Sequence, residues 1–213
     1  MDSTKRLLLQ NIITELLMGV DRPGMDDLVQ YLATEGYFTS PASTRFHGCY
    51  EGGLAEHSLG VYNRLSMLAL DMKLDQDTSA GKKPLPFDKD TFVIAALLHD
   101  LCKVGAYLGD SKPYKWNRAT PKGHGSLSVE RIKKFIELKP LEELMIRYHM
   151  GLYHAIEYDE RAGEYHILNQ NPDLPKEERY GKSLRNAWYH NPIVKVMSFA
   201  DELATMEEKA NEI

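Results

Sequence analysis

The chain has 213 residues, 43% of them apolar and 27% charged, with a formal net charge of −5. That length and balance fit a globular protein with a buried core, read as a single domain with its core at about 45–206 and N-terminal helices in 1–36 packed on it. The acidic balance argues against broad electrostatic coating of nucleic acid, and no run approaches the ~18 to 20 apolar residues of a membrane helix.

The opening segment, MDSTKRLLLQNIITELL, is amphipathic and has acidic members. It lacks the basic-apolar-small layout of a signal peptide and reads as a helix over 4–18, with Leu7, Leu8, Ile12, Ile13, Leu16 and Leu17 on one stripe. A second helix opens at Asp26, runs through Leu28, Val29, Tyr31 and Leu32, and stops at Gly36. Residues 37–53, rich in Gly, Ser and Thr, form a loop. It holds Cys49, which with Cys102 makes the chain's two cysteines; two thiols without a CxxC pair fit a reducing cytoplasm and disfavour a thiolate zinc site.

Residues 54–73 are helical, with Leu54, His57, Val61, Leu65 and Leu68 at helical spacing. The polar stretch 75–89 is a surface connection. Residues 90–102 form a strongly apolar helix in which Phe92, Ala95 and Ala96 lead to His99, and Val93, Ala96 and Leu97 lead to Asp100. A long loop, 104–123, follows. Helices then fit 125–138 and 141–151, with Pro140 in the first turn of the latter. Residues 157–191 receive no assigned element; a hairpin around Ala162–Gly163 and a loop covering a site are both open. A last helix runs from Pro192 to about Ala210, with Val194, Met197, Asp201 and Ala204 on one stripe. The β signal is weak throughout, so the expected fold class is all-α, a helical bundle.

His57, His99, Asp100, His124, His149 and Asp201 each lie in or beside a predicted helix, mostly on its apolar face. A lone histidine on such a face is usually a hydrogen-bonded core residue. An ionised carboxylate buried without a partner is costly, however. A shared cation gives Asp100, Asp201 and four histidines a common partner. Imidazole and carboxylate donors suit Mn, Fe, Zn, Co or Ni and tolerate Mg, as one or two ions. Such a centre supplies hydroxide near neutral pH and neutralises phosphoryl oxygens, the requirements of phosphate-ester hydrolysis. Lys103, four residues after His99, can hold a phosphate oxygen or stabilise charge in the transition state; its ordinary alternative is a surface lysine at a helix C-terminus.

Between Lys103 and Lys134 lie eight basic residues, opposed only by Asp110 and Glu130. A local positive field in an acidic protein suits a small anionic substrate, and a solvated basic face is the plain alternative. Lys115, Trp116 and Arg118 precede His124 in the long loop. Trp116 can stack on a base while Lys115 or Arg118 meets phosphate. Arg45 and His47 precede the first ligand helix, and Tyr153 follows His149 within a turn, so these too are candidate substrate-binding residues. His154 is the alternative to His149 as a ligand. Glu56 and Glu202, beside His57 and Asp201, are candidate supporting or surface carboxylates. Cys102 reads as a small core residue.

The segments GGLAEHSLGVY, ALLHDLCKVG, GHGSLSVERI, IRYHMG and VMSFADELAT carry these residues in the order H…HD…H…H…D. In that order the chain resembles the HD-domain superfamily of metal-dependent phosphohydrolases. The resemblance implies an all-helical bundle around a divalent metal. His57, His99, Asp100 and Asp201 would form one site, Asp100 would bridge, and His124 and His149 would complete a second. The implied function is hydrolysis of a nucleotide or related phosphomonoester or phosphodiester, with Asp100 and Lys103 in the catalytic role; the alternative is a nucleotide-binding sensor without turnover. The expected partner is a small phosphorylated substrate, a nucleotide before a short oligonucleotide, with no membrane and with an oligomer allowed. The stretch RFHGCYEGGLAEHSL is also similar to the HD domain of some bacterial 3′–5′ exoribonucleases. The GYP triad of cyclic-dinucleotide phosphodiesterases is missing.

Overall fold

The computed structural model describes residues 1–74, 88–109, 112–120, 123–151, 156–159, 164–167 and 182–211. Two helices open the chain, α1 (Ser3–Met18) and α2 (Met25–Thr34). The Asp2 carboxylate caps α1 by accepting from the Lys5 amide at 2.8 Å. Leu9, Ile13 and Leu17 bury one stripe of α1, whereas Leu7 and Leu8, on the same predicted stripe, are 59% and 58% exposed. Their side of the helix faces solvent because α1 packs on its neighbours chiefly through the 9–13–17 line, with Leu16 beside it.

The long helix α3 (Gly53–Leu74) packs against α8 (Pro192–Asn211) and α4 (Lys89–Leu98). In α4 every residue from Thr91 to Leu98 is buried. It is therefore the central helix, apolar all round because it has neighbours all round. Around it stand α1, α3 and α6 (Pro140–Arg147), and α6 packs in turn on α5 (His124–Ile132) and α8. Gly125 makes the α5–α6 approach possible: a Cβ there would lie 2.3 Å from the Arg147 carbonyl oxygen. A Cβ on Gly53 would lie 2.0 Å from the Gly48 carbonyl oxygen, so the 37–52 loop is pressed onto the start of α3.

The apolar run ends sooner as a helix than the sequence pattern predicts. α4 stops at Leu98, His99 and Asp100 follow in a turn, and Leu101–Lys103 form one 3-10 turn. The His99 ring explains the stop: its Nδ1–H donates to the Ala96 carbonyl at 2.8 Å, satisfying an acceptor that a helix end leaves open. Likewise α5 ends at Ile132 rather than 138 and α6 at Arg147 rather than 151. The β signal, weak in sequence, yields two short antiparallel pairs. β1 (Tyr107–Leu108) pairs with β2 (Lys115–Trp116), and β3 (Ile156–Asp159) with β4 (Glu164–Ile167) in the register Ile156 to Ile167. The second pair is the hairpin left open above; its tip at Ala162–Gly163 lies outside the described residues. The same stretch also holds a helix that the sequence reading did not assign, α7 (Lys182–His190). Among its described side chains it buries Leu184 and Ala187, too short a stripe to stand out. Among the described residues no helix is long and apolar enough to cross a membrane.

Candidate metal centre

Four chain segments meet at the C-terminal end of α4, and a fifth, the start of α5, reaches them. His57 comes from the interior of α3 and Asp201 from the interior of α8. His99 and Asp100 stand just past the C-terminus of α4, and His149 just past that of α6. The sequence reading placed these last residues on apolar helical faces; they sit instead at helix ends, whose main-chain carbonyls carry partial negative charge and favour a cation. His57, His99, Asp100 and His149 are at most 2% exposed.

The distances define one compact cluster. His57 Nε2 lies 3.0 Å from Asp201 Oδ1, and His99 Nε2 lies 3.9 Å from the same oxygen. Asp100 stands between two rings, with Oδ2 3.3 Å from His99 Nε2 and Oδ1 3.5 Å from His149 Nε2. Yet His57 Nε2, His99 Nε2, His149 Nε2 and Asp100 Oδ1 are all buried without a hydrogen bond of proper geometry. Folded proteins rarely leave buried polar atoms so.

The opposite ring nitrogens are all anchored. His99 Nδ1–H donates to Ala96 and His149 Nδ1–H to the Ile146 carbonyl, at 2.7 Å. His57 Nδ1 lies 2.9 Å from Glu208 Oε1. Each anchor fixes the tautomer that leaves Nε2 as a free donor. A divalent cation is the partner that a set of three Nε2 atoms and two carboxylates fits. The donor groups within 4.8 Å of one another are His57–His99–Asp100, His99–His149–Asp201, Asp100–Cys102–His124 and His47–His57–Glu208.

His124, the first residue of α5, reaches the cluster beside Asp100 and Cys102 rather than beside His149. Its Nδ1 lies 3.5 Å from Cys102 Sγ. Cys102 is fully buried, and burial and the Asp100 charge push its thiol up to about 12. Lys103 is 9% exposed and so is no surface lysine; its Nζ is 2.5 Å from Asp100 Oδ2.

The electrostatics are those of charges held together out of water. Burial opposes the Asp100 and Asp201 carboxylates, but for Asp100 the Lys103 ammonium and the histidines outweigh it, and for Asp201 His57 does. Both stay ionised, below the usual carboxylate range. Burial also opposes a charge on His57, but Asp201 and Glu208 raise its pKa to about 9. His47 shows the reverse: burial and the neighbouring His57 drive it down to about 3, which leaves the ring neutral. His47 stacks on His57 with ring centroids 4.8 Å apart, and its Nε2 is a further buried atom without a partner.

The other predicted contacts lie outward. Arg45 and Phe46 are exposed on the loop that holds His47. Tyr107 on β1 donates its hydroxyl to the Ala42 carbonyl at 3.0 Å, which ties the β1–β2 pair to that loop. Trp116 is wedged edge-on between Tyr107 (5.3 Å) and His124 (5.2 Å), while Lys115 and Arg118 are exposed. The basic segment is only partly free for an anion. Lys103 holds Asp100, Arg131 donates to the carbonyls of Leu101 and Val104 at 3.1 and 2.7 Å, and Lys133 pairs with Glu143 at 2.6 Å. Tyr153 and the alternative ligand His154 lie outside the described residues. Of the carboxylates beside the ligands, Glu56 is taken by Lys5 and Tyr50, at 2.6 and 2.8 Å, and Glu202 is exposed. The one that reaches the cluster is Glu208, missed in sequence although it continues the 194–197–201–204 stripe of α8.

Comparison with known proteins agrees with this geometry. No curated protein and no solved structure matches the chain. A family model described as HD domain matches residues 54–206, a span that holds His57, His99, Asp100, His124, His149 and Asp201. The helical bundle, the ordered histidines and aspartates and this match together place the chain in the HD domain family.

Proposed function

We propose that the protein is a metal-dependent phosphohydrolase acting on a nucleotide or a related phosphate ester. One observation carries the reading: three imidazole Nε2 atoms and a carboxylate oxygen, all buried, converge without hydrogen-bond partners. His57, His99, Asp100 and Asp201 would hold one divalent cation, with Asp100 placed to reach a second on the side of His124. Mn, Fe, Co, Ni or Zn suits these donors, and Mg is tolerated. A bound ion of this kind supplies Lewis acidity and lowers the pKa of coordinated water.

The chain's own residues do the rest. Asp100 and Asp201 remain carboxylates in a largely buried site and would offset the charge of the cation. Lys103 keeps its proton: burial works against the ammonium, but the Asp100 and Tyr107 oxygens hold its pKa above the ordinary lysine value. It therefore stands as a fixed positive charge beside the centre, suited to a phosphoryl oxygen in the transition state. Trp116 offers an apolar face beside His124, and Arg45, Lys115 and Arg118 offer exposed charge for phosphate. A protein reading nucleotides without turnover would use the same rim, but the complete donor set and the buried Lys103 favour turnover.

A metal-by-substrate screen tests this. Nucleoside mono-, di- and triphosphates, cyclic nucleotides and short oligonucleotides are each incubated with each divalent metal, with phosphate release and chromatography as readouts. Hydrolysis of at least one class, lost in Asp100→Ala, is expected. Tight nucleotide binding with no product under any metal would establish the sensor instead.

A further inference from the structure

His57 is held differently from the other two buried histidines. His99 and His149 stand past helix ends, where a main-chain carbonyl is free to take the Nδ1 proton. His57 lies inside α3, where helical hydrogen bonds occupy the nearby carbonyls. It needs an acceptor from another element, and Glu208 supplies one. Glu208 comes seven residues after Asp201, two turns along the same face of α8, and α8 packs along α3. Its Oε1 lies 2.9 Å from His57 Nδ1, while Asp201 Oδ1 lies 3.0 Å from His57 Nε2. The ring is thus hydrogen-bonded at Nδ1 by Glu208, while Nε2 faces Asp201 from the same helix without a hydrogen bond of proper geometry.

The Glu208 carboxylate lies beside two glycines, at ordinary contact distance from where a Cβ would stand: 3.8 Å from Gly60 to Oε1 and 3.5 Å from Gly48 to Oε2. His47, His57 and Glu208 could also be read as a separate cation site. That reading needs His57 to give up its Nδ1 proton while Nε2 serves the main centre, a doubly ligated imidazolate. A hydrogen bond from Nδ1–H asks nothing so costly.

We propose that Glu208 is a positioning residue of the metal centre: it accepts the Nδ1 proton of His57 and so presents Nε2 as the donor to the cation. The proposal rests on the metal-centre reading above. It makes His57, Glu208 and the cation a carboxylate–histidine–metal triad, a pattern in which the outer carboxylate orients the ring and raises its basicity.

The test compares Glu208→Ala, Glu208→Gln and Glu207→Ala with the unsubstituted chain. Glu207 is the control, because it pairs with Arg64 on the surface. Zinc affinity is measured by chelator competition, and the His57 Nδ1–H signal of the zinc-loaded protein by NMR. Glu208→Ala should weaken zinc binding about 10- to 100-fold, the usual cost of losing such a partner, and its Nδ1 proton should exchange with water too fast to be seen. Glu208→Gln, which keeps an acceptor oxygen, should restore the signal and most of the affinity, and Glu207→Ala should match the parent. Should Glu208→Ala not fold, Glu208→Leu takes its place. Equal affinity and an unchanged Nδ1–H signal in the variant without an acceptor would overturn the role of Glu208 alone. A parent chain that binds no metal would sink the centre itself, and this proposal with it.

Discussion

Two carboxylates lie at opposite ends of the central helix α4, and their surroundings differ in kind. Glu142, on α6, is 0% exposed and fully served. Arg22 meets it with two nitrogens at 2.6 and 3.0 Å, the Thr91 hydroxyl donates at 3.2 Å and the Lys139 amide at 2.8 Å. Asp100 is 2% exposed and lies among histidines whose Nε2 atoms, like its own Oδ1, have no hydrogen-bond partner. A satisfied buried network fixes the fold, here by clipping the 18–25 segment to α6. An unsatisfied one is costly in a folded protein unless something else completes it. The contrast separates a structural ion pair from a candidate metal site.

The sharpest way to break this comparison is to remove one residue from each side. His99→Ala should lower metal affinity and phosphate-ester hydrolysis by more than about 100-fold, beyond the cost of losing an outer partner, as read by chelator competition and phosphate release. Arg22→Ala should do the opposite. It leaves Glu142 as an unpaired buried charge, at a cost of about 3–5 kcal/mol in urea unfolding, while metal affinity per folded molecule stays within about twofold of the parent, well short of the loss expected at the centre. If Arg22→Ala abolished metal binding in the folded protein, the two clusters would not be separable.

Next in size is the effect of the metal on stability. A ligand that binds only the folded state at 100 times its Kd adds about 2.7 kcal/mol. Denaturant unfolding with and without zinc should show that gain in the parent and in Arg22→Ala, and not in His99→Ala.

The metal-free and metal-loaded forms should also answer pH in opposite senses. In the metal-free protein Asp201 and Glu208, against burial, raise His57 to about 9. A raised histidine pKa stabilises the fold fully below its unfolded value of about 6.5 and loses that contribution as pH rises through 9. A cation must displace the same proton, so binding strengthens over that rise, by up to about tenfold per pH unit. Melting curves at pH 6.5 and 9.5 should therefore show metal-dependent stabilisation growing as the metal-free fold weakens. A gain that shrinks with pH would contradict this account of His57.

Much of this site is legible in the sequence, because His57 and Asp201 continue aliphatic stripes inside single helices and the HD pair ends an apolar run. The ends of those helices are not legible. Residues 90–102 read as one helix because every side chain from Phe92 onward is apolar or shared with the site, and the stop at Leu98 comes from a ring–carbonyl bond that periodicity does not encode. Glu208 was missed for a related reason. It continues the Asp201 stripe, but in the polar run MEEKANE it looks like any solvated glutamate until α3 is packed against it. The α7 helix, with Leu184 and Ala187 buried among its described side chains, carries too little pattern to be seen.

The smallest effects belong to the rim. Arg45 and Lys115 are exposed, and exposed charge pairs are worth roughly 0.2–1 kcal/mol, so each alanine variant should raise KM by about fivefold at most, with kcat little changed. Trp116 differs, because its ring braces His124 and Tyr107. Trp116→Ala should raise KM and also lower kcat, since it loosens a histidine of the centre. Trp116→Phe keeps an aromatic face and should recover kcat before KM. Steady-state kinetics on whichever ester is hydrolysed, set beside zinc affinity for each variant, separates the two roles. A Trp116→Ala variant that changes KM alone would place the indole wholly on the substrate side and leave the orientation of His124 to Cys102.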